Sequence, residues 1–280
     1  MCLFTSSTTH LIVDVNGFVP GSVSSLVSVV PARLLETRSG PGMTTVDHQF
    51  EGEGTVAAGS VKEVPVLGRG QVAGDAATTV LNVTVTEPQA AGFITVFPCG
   101  ESPPLASNLN YLSGATVANA VVTRVGAGGK ICIFTSATTH LIVDVNAFLP
   151  AAVTSVVSVV PARLLDTRSG PGISTVDHVS EGGRMVPGGT VAVLPIVGRG
   201  GVAANAGSVM LNVTVTGPVA PGFITVFPCD EPRPTASNVN HLAGSTVANA
   251  VVTKVGVSGD VCLFTLATTH LVVDVNGYAL

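Results

Sequence analysis

Hydrophobic and polar positions alternate along one stretch that the chain contains three times. Thr8 to Phe18 reads TTHLIVDVNGF, Thr138 to Phe148 reads TTHLIVDVNAF and Thr268 to Tyr278 reads TTHLVVDVNGY, each preceded by a Cys-x-Phe segment. In the middle copy Leu141, Val143 and Val145 fall on one side while Ile142, Asp144 and Asn146 fall on the other, the period of two that marks a strand. Thr79 to Thr86 alternates in the same way, with Leu81, Val83 and Val85 on one face and Asn82, Thr84 and Thr86 on the other. After a turn over Pro88 to Gly92, Phe93 to Phe97 returns as FITVF, and the two runs together predict a hairpin. Ile131 to Thr135 is expected to meet the closing strand that begins near Thr139.

The remaining pattern is also strand and turn. Ser60 to Leu67 contains Pro65, and Pro195 repeats it; a proline cannot donate to a ladder, so this segment is predicted to be an edge strand or a bulge. Ser107 to Asn110 and Thr116 to Val125 give two more strands, and Thr44 to Gly59 reads as surface loop with short strands. No window carries a helical apolar period. About eight or nine short strands per repeat, separated by turn signals, predict an all-β chain of two tandem antiparallel β-sandwiches of the jelly-roll or immunoglobulin-like kind.

The repeat sets the domain plan. PARLLETR from Pro31 returns as PARLLDTR from Pro161, a step of 161 minus 31, or 130 residues, and Cys2, Cys132 and Cys262 keep the same step. A unit of that size can hold its own core and exceeds the roughly 20 to 50 residues of a solenoid repeat. Two framings fit. Units at 21–150 and 151–280 leave 1–20 as the closing hairpin of a preceding, truncated repeat, whereas units at 1–130 and 131–260 leave 261–280 over. The first is favoured, because its cysteines lie nearer in sequence and the chain stops just after VDVNGYAL, where a unit would close. The spare tail is expected to dock on a sheet edge, since a lone hairpin is marginal in water.

Cysteine usage points to an oxidising compartment. Cys99 with Cys132, and Cys229 with Cys262, recur at the same separation and predict one disulfide per repeat, leaving Cys2 unpaired. The second framing would instead pair Cys2 with Cys99 and Cys132 with Cys229, and buried free thiols are the remaining alternative. No CxxC cluster suggests a metal. No apolar run approaches the roughly 18 residues needed to span a bilayer.

Composition narrows function mainly by exclusion. Charged residues are 10% of the chain and the net charge is -5, without a basic patch interleaved with aromatics, so nucleic-acid binding is not expected. There is no G-x-S-x-G elbow and no HExxH, and neither catalysis nor a cofactor is expected. Asp144 and Asn146, like Asp14 with Asn16 and Asp274 with Asn276, share a strand face and so could offer oxygens to calcium. No second acidic cluster repeats beside them, and pairing of the Asp with Arg33 or Arg163 is the expected arrangement. His10, His140 and His270, which precede the closing strands, read as structural, and His48 and His178 follow a Val-Asp pair. Asn82-Val83-Thr84 and Asn212-Val213-Thr214 match a glycosylation acceptor but lie within a strand. Arg33, Glu36 and Arg38, with Arg163, Asp166 and Arg168, read as an ion-pair cluster at the start of each sandwich. The chain has no Trp and only Tyr111 and Tyr278, with His241 at the place of Tyr111, so stacking on sugar rings is disfavoured; binding through a polar loop is not.

PARLLDTR, LNVTVT with GFITVFPC, TVANAVV, VCLF and THLVVDVNGY, in that order, resemble the tandem β-rich modules of large secreted and surface proteins of actinobacteria. The resemblance covers both repeats and the tail. It implies an extracellular or cell-surface accessory module, of the kind found beside proteases or other hydrolases, although no catalytic domain is present here. The expected function is a non-catalytic structural or adhesive repeat protein, self-associating or bound to cell-surface components and able to build filaments or a surface layer. The alternative is a cell-wall or polysaccharide-binding accessory module of a secreted enzyme.

Overall fold

The computed structural model describes residues 5, 8, 10, 13, 15, 26–153, 155–171 and 173–280. The tail hairpin expected over 1–20, with Cys2, Asp14 and Asn16, therefore lies outside the described residues apart from isolated positions. The described chain is all-β, and its antiparallel sheets pair into two sandwiches. In the first, β1 (Val27–Glu36), β8 (His140–Pro150), β3 (Ala76–Thr86) and β6 (Val117–Arg124) lie in that order in one sheet. The order β2 (Val61–Pro65), β7 (Lys130–Thr135), β4 (Gly92–Pro98) and β5 (Leu109–Tyr111) makes the other. The second sandwich repeats this plan. Its sheets run β9 (Val156–Asp166), β16 (His270–Ala279), β11 (Ser208–Thr216), β14 (Thr246–Lys254) and β10 (Thr190–Pro195), β15 (Asp260–Thr265), β12 (Gly222–Pro228), β13 (Val239–His241).

Each core is the inward half of the alternating pattern. Leu81, Val83, Val85, Leu141 and Val143 from one sheet meet Ile94, Val96, Ile131 and Ile133 from the other, all completely buried. The second core is built from the corresponding positions, among them Leu211, Val213, Ile224, Leu263 and Val273. Apolar burial of this kind, at about 25 cal/mol per Å², is what holds two such sheets together.

The two expected hairpins are not formed. β3 pairs with β6 and β8, whereas β4 pairs with β5 and β7, so the turn after Thr86 carries the chain from one sheet to the other. β7 and β8 are separated in the same way. A sheet-to-sheet crossing leaves both runs with their apolar faces on one core, as a hairpin would, and so the alternation alone does not distinguish them. β2 and β10, with Pro65 and Pro195, are edge strands, as a missing N–H demands. Over Thr44 to Gly59 the expected short strands reduce to isolated bridges, Glu36 with Glu51 and Val56 with Thr139.

Disulfides join Cys99 to Cys132 and Cys229 to Cys262. Both sit outside the main cores, packed in small clusters with Phe97 and Phe134, and with Phe227 and Phe264. Each ties the end of one inner strand to its neighbour in the same sheet.

Candidate functional site

The densest charges of the chain meet where β1 runs beside β8. Arg33 and Asp144 are direct cross-strand partners, and Arg33 Nε donates to Asp144 Oδ1 at 2.9 Å. Arg33 Nη1 also donates to Glu36 Oε2 at 2.9 Å, while Arg38 donates to Glu36 through Nε and Nη2, each at 2.8 Å. Burial of the Glu36 side chain pushes its pKa up, but the bonds from Arg38 and the charges of Arg38 and Arg33 outweigh it and hold the group below its ordinary value. The second sandwich repeats the cluster: Arg163 donates to Asp274 at 2.9 Å and to Asp166 at 3.2 Å, and Arg168 holds Asp166 at 2.9 and 2.7 Å. Of the carboxylates considered as calcium ligands, Asp144 and Asp274 are thus engaged by arginine, and Asp14 lies outside the described residues.

The two copies differ in what covers them. Over the second cluster lies a corner of the first sandwich, formed by Ser107, Asn108 and strand β6. The Ser107 amide donates to Asp274 Oδ2 at 3.1 Å, and the Asn212 side-chain amide donates to the Ser107 carbonyl. Asn119 of β6 donates through Nδ2 to Asn212 Oδ1 at 2.8 Å and accepts through Oδ1 from the amide of Ala250, on edge strand β14, at 2.9 Å. Thr78 and Ser158 hydroxyls bond at 3.1 Å beside the connection. Asp274 is accordingly 1% exposed where Asp144 is 22%, and the Arg163 side chain 8% where Arg33 is 31%. Burial raises the Asp274 pKa, opposed by the charge and hydrogen bonds of Arg163.

A buried polar joint of this kind fixes geometry more than it adds free energy, because desolvation offsets much of the attraction while every misaligned arrangement leaves groups unpaired. Its Asn212 is the residue of the glycosylation-like triplet, and it is 1% exposed. Asn119, Ser107 and Asn108 were not marked by their sequence. For Asn119 the one signal is a polar residue on the face that Val117 and Val121 share in the repeated strand TVANAVV, where the alternation calls for an apolar one.

Beside the joint is a cleft of about 280 Å³. Phe93 and Phe134, with ring centroids 5.9 Å apart, line it from the first sandwich together with the Pro103 to Ser107 loop, and Arg168, Thr214, Thr216 and Thr246 line it from the second. In the second sandwich the matching pair, Phe223 and Phe264, is covered by Arg233, whose guanidinium lies 3.9 Å from the Phe264 ring centroid. Pro103 stands at the place of Arg233, so Phe134 has no such cation over it, and Phe93 beside it is 37% exposed.

The remaining candidates are engaged locally. His140 Nδ1 lies 2.9 Å from Thr37 Oγ1, and His270 Nδ1 lies 3.1 Å from Thr167 Oγ1. His48 and His178 are exposed and stand beside Glu51 and Glu181. Among the described residues no three His, Cys, Asp or Glu side chains gather as a metal site would require. An unforeseen structural residue is Arg69. Gly70 has φ +54°, and a Cβ there would lie 2.8 Å from Val145 Cγ1, so only glycine allows the turn that aims Arg69 inward. Arg69 then bonds Asp47 at 2.6 and 2.8 Å and the carbonyls of Pro65 and Leu34, each at 2.9 Å. Arg199 repeats these bonds with Asp177, Pro195 and Leu164.

No family model and no curated protein matches the chain. Among solved structures it is similar to the N-terminal CBM22-1-CBM22-2 tandem domain of Xyn10C from Paenibacillus barcinonensis, at 13% identity over 90% of this chain and 99% of that one, with a TM-score of 0.22. A superposition that loose leaves function to be read from the residues themselves.

Proposed function

We propose that the chain is a non-catalytic, extracellular tandem module of the structural or adhesive kind, with units at 21–150 and 151–280 held as one stiff body. The observation that carries this reading is the Asn119–Asn212 bond within the buried joint, since a flexible linker would not need paired amides between its domains. The two disulfides and the resemblance to actinobacterial surface repeats support an extracellular setting. No helix among the described residues is long and apolar enough to cross a membrane. Its partners on this reading are other copies or cell-surface components. Small-angle scattering of the dilute chain tests stiffness: a single fixed separation of the two sandwiches is expected, and a broad spread of separations would overturn the reading.

A second reading, a polysaccharide-binding accessory module, is favoured by the cleft. Phe93 offers an apolar face for a sugar ring, and Arg168 with the threonine hydroxyls offers polar contacts beside it. Pull-down on insoluble cell-wall glycans and plant polysaccharides tests this directly. Saturable binding lost in Phe93→Ala supports it, and absence of binding removes it.

A further inference from the structure

The cleft of about 280 Å³ beside the joint is built by both sandwiches, and its polar side is not satisfied from within. Arg168 enters it from the second sandwich. One edge of the guanidinium, Nε with Nη2, is held by Asp166 at 2.9 and 2.7 Å, whereas Nη1 makes no hydrogen bond among the described residues and the side chain is 37% exposed. A guanidinium carries five N–H donors in a planar fork, so the end formed by Nη1 and Nη2 is left to take a second carboxylate in two parallel bonds. The charges of the joint leave room for one: Arg163 and Arg168 are bonded to Asp166 and Asp274, and a ligand carboxylate joins a balanced group, not an acidic one. Thr214 supplies an independent observation. It lines the cleft, is 3% exposed, and its Oγ1 is buried with no hydrogen-bond partner among the described residues. Burying a hydroxyl unpaired costs free energy, which a site recovers when a ligand supplies the bond. Beside it Thr216 and Thr246 share a hydroxyl to hydroxyl bond of 2.8 Å. Opposite, Phe93 and the exposed Leu105 form an apolar wall.

We propose that the cleft binds one acidic sugar ring of a glycan, a uronic acid, with its carboxylate on the open end of Arg168, its apolar face on Phe93 and a hydroxyl at Thr214. The lining is that of a site for a ring with one flat apolar side and a rim of hydroxyls. Its volume is at the small end of ligand sites, which suits a single ring with its substituents and not a length of polymer. A peptide fits less well, because it gains most by adding its backbone to a sheet edge. The strands that carry Phe93, Phe134, Thr214 and Val272 are inner ones, already paired on both sides. Each sandwich supplies what the other lacks: the aromatic wall comes from the first, the guanidinium and the unpaired hydroxyl from the second, so the site belongs to the tandem and to neither unit alone. The matching Phe223 and Phe264 pair lies under Arg233 and is not an equivalent site. The proposal deepens the polysaccharide-binding reading above and rests on it.

Calorimetric titration of the full chain tests it, with the trisaccharides of galacturonate, glucuronate and mannuronate as probes up to about 10 mM, each beside its carboxyl-reduced counterpart. At least one acid should bind saturably and about tenfold or more tighter than its reduced form, since a charge-assisted pair is lost with the carboxylate. Phe93→Ala and Arg168→Gln should each weaken that binding about tenfold. Arg168 also holds the buried Asp166, so Thr214→Val is the second variant. Without the unpaired hydroxyl the free protein should unfold at the same urea concentration or a higher one, while the acid binds about three- to tenfold more weakly. A threonine that serves only the fold would not separate those two readouts. Absence of saturable binding by every acid overturns the proposal, as does binding unchanged in both Phe93→Ala and Thr214→Val. Equal binding of an acid and its reduced form overturns it too but leaves the polysaccharide-binding reading standing, so the two failures are told apart. Binding of acetyl-Ala-Ala-Phe with a free carboxylate, in place of the sugar acids, overturns it and makes the cleft a site for a peptide end.

Discussion

Asn119 of the first sandwich donates its side-chain amide to the side-chain oxygen of Asn212 in the second, at 2.8 Å, and its own oxygen accepts the Ala250 amide at 2.9 Å. The copy of Asn119 in the second sandwich, Asn249, is exposed and donates only to Asn238 among the bonds seen for its side chain. Asn119→Ala is therefore expected to cost about 1–3 kcal/mol, because buried groups on the facing sandwich lose their partners, and Asn249→Ala about 1 kcal/mol or less. Urea unfolding of the two variants checks the contrast. Equal costs would mean that the amide serves its own loop in both places and that the joint contributes nothing through it.

Acid sensitivity follows from the Arg199–Asp177 pair. The bonds from Arg199 lower the Asp177 pKa from 3.8 to about 2, against the opposing effect of burial and with help from the Val179 amide. Arg69 lowers Asp47 in the same manner, and the Thr175 amide lowers Glu181. A carboxylate whose folded pKa lies below its unfolded value stabilises the fold at pH above the unfolded value, and that contribution is lost as pH falls through the folded one. Asp274 works in the opposite direction, because burial raises its pKa. The carboxylates' share of thermal stability should thus hold steady above about pH 4 and drop between about pH 4 and 2, below the step that His241 causes, and Asp47→Asn with Asp177→Asn should flatten that drop. A drop of unchanged size in the double variant would exclude these pairs as its source.

The alternation of Leu81, Val83 and Val85 against Asn82 and Thr84 was enough to read the strands, the class and the inward face, because burial on one side imposes period two. It could not say that β3 and β4 lie in different sheets, since the same faces meet the core either way. The Arg33–Asp144 pairing was legible as a charge balance in a sparsely charged chain. The joint was not: Asp144 and Asp274 sit in near-identical sequence, and only the presence of a corner over one of them makes it buried. Information of that kind resides in the arrangement of copies and is missing from either copy alone.

The disulfides are predicted to be structural. Non-reducing peptide mapping should recover Cys99 linked to Cys132 and Cys229 linked to Cys262. Replacing one pair by serine is expected to cost roughly 2–5 kcal/mol, as the loop it closes is freed in the unfolded chain. Free thiols at all four positions would contradict the bridges and remove a support for the extracellular reading.

His241 marks the point at which the second sandwich is the less well satisfied. At the corresponding place Tyr111 reaches the Thr135 hydroxyl at 2.9 Å, whereas both ring nitrogens of His241 are buried with no hydrogen-bond partner among the described residues. Burial alone lowers the His241 pKa below 6.5. A base whose folded pKa is depressed leaves stability intact above the unfolded value and loses it as pH falls through the folded one, so the second sandwich should weaken below about pH 6.5 before the carboxylates take part. His241→Tyr should remove this step and stabilise by about 1 kcal/mol, because Thr265 stands where Thr135 does and His241 lies against Gly222 as Tyr111 lies against Gly92. Unfolding midpoints at about pH 7.5 and about pH 5.5 for the two proteins decide the matter. A variant that is less stable at both values would show that the imidazole fits the site better than the phenol, and the account of its buried nitrogens would be wrong.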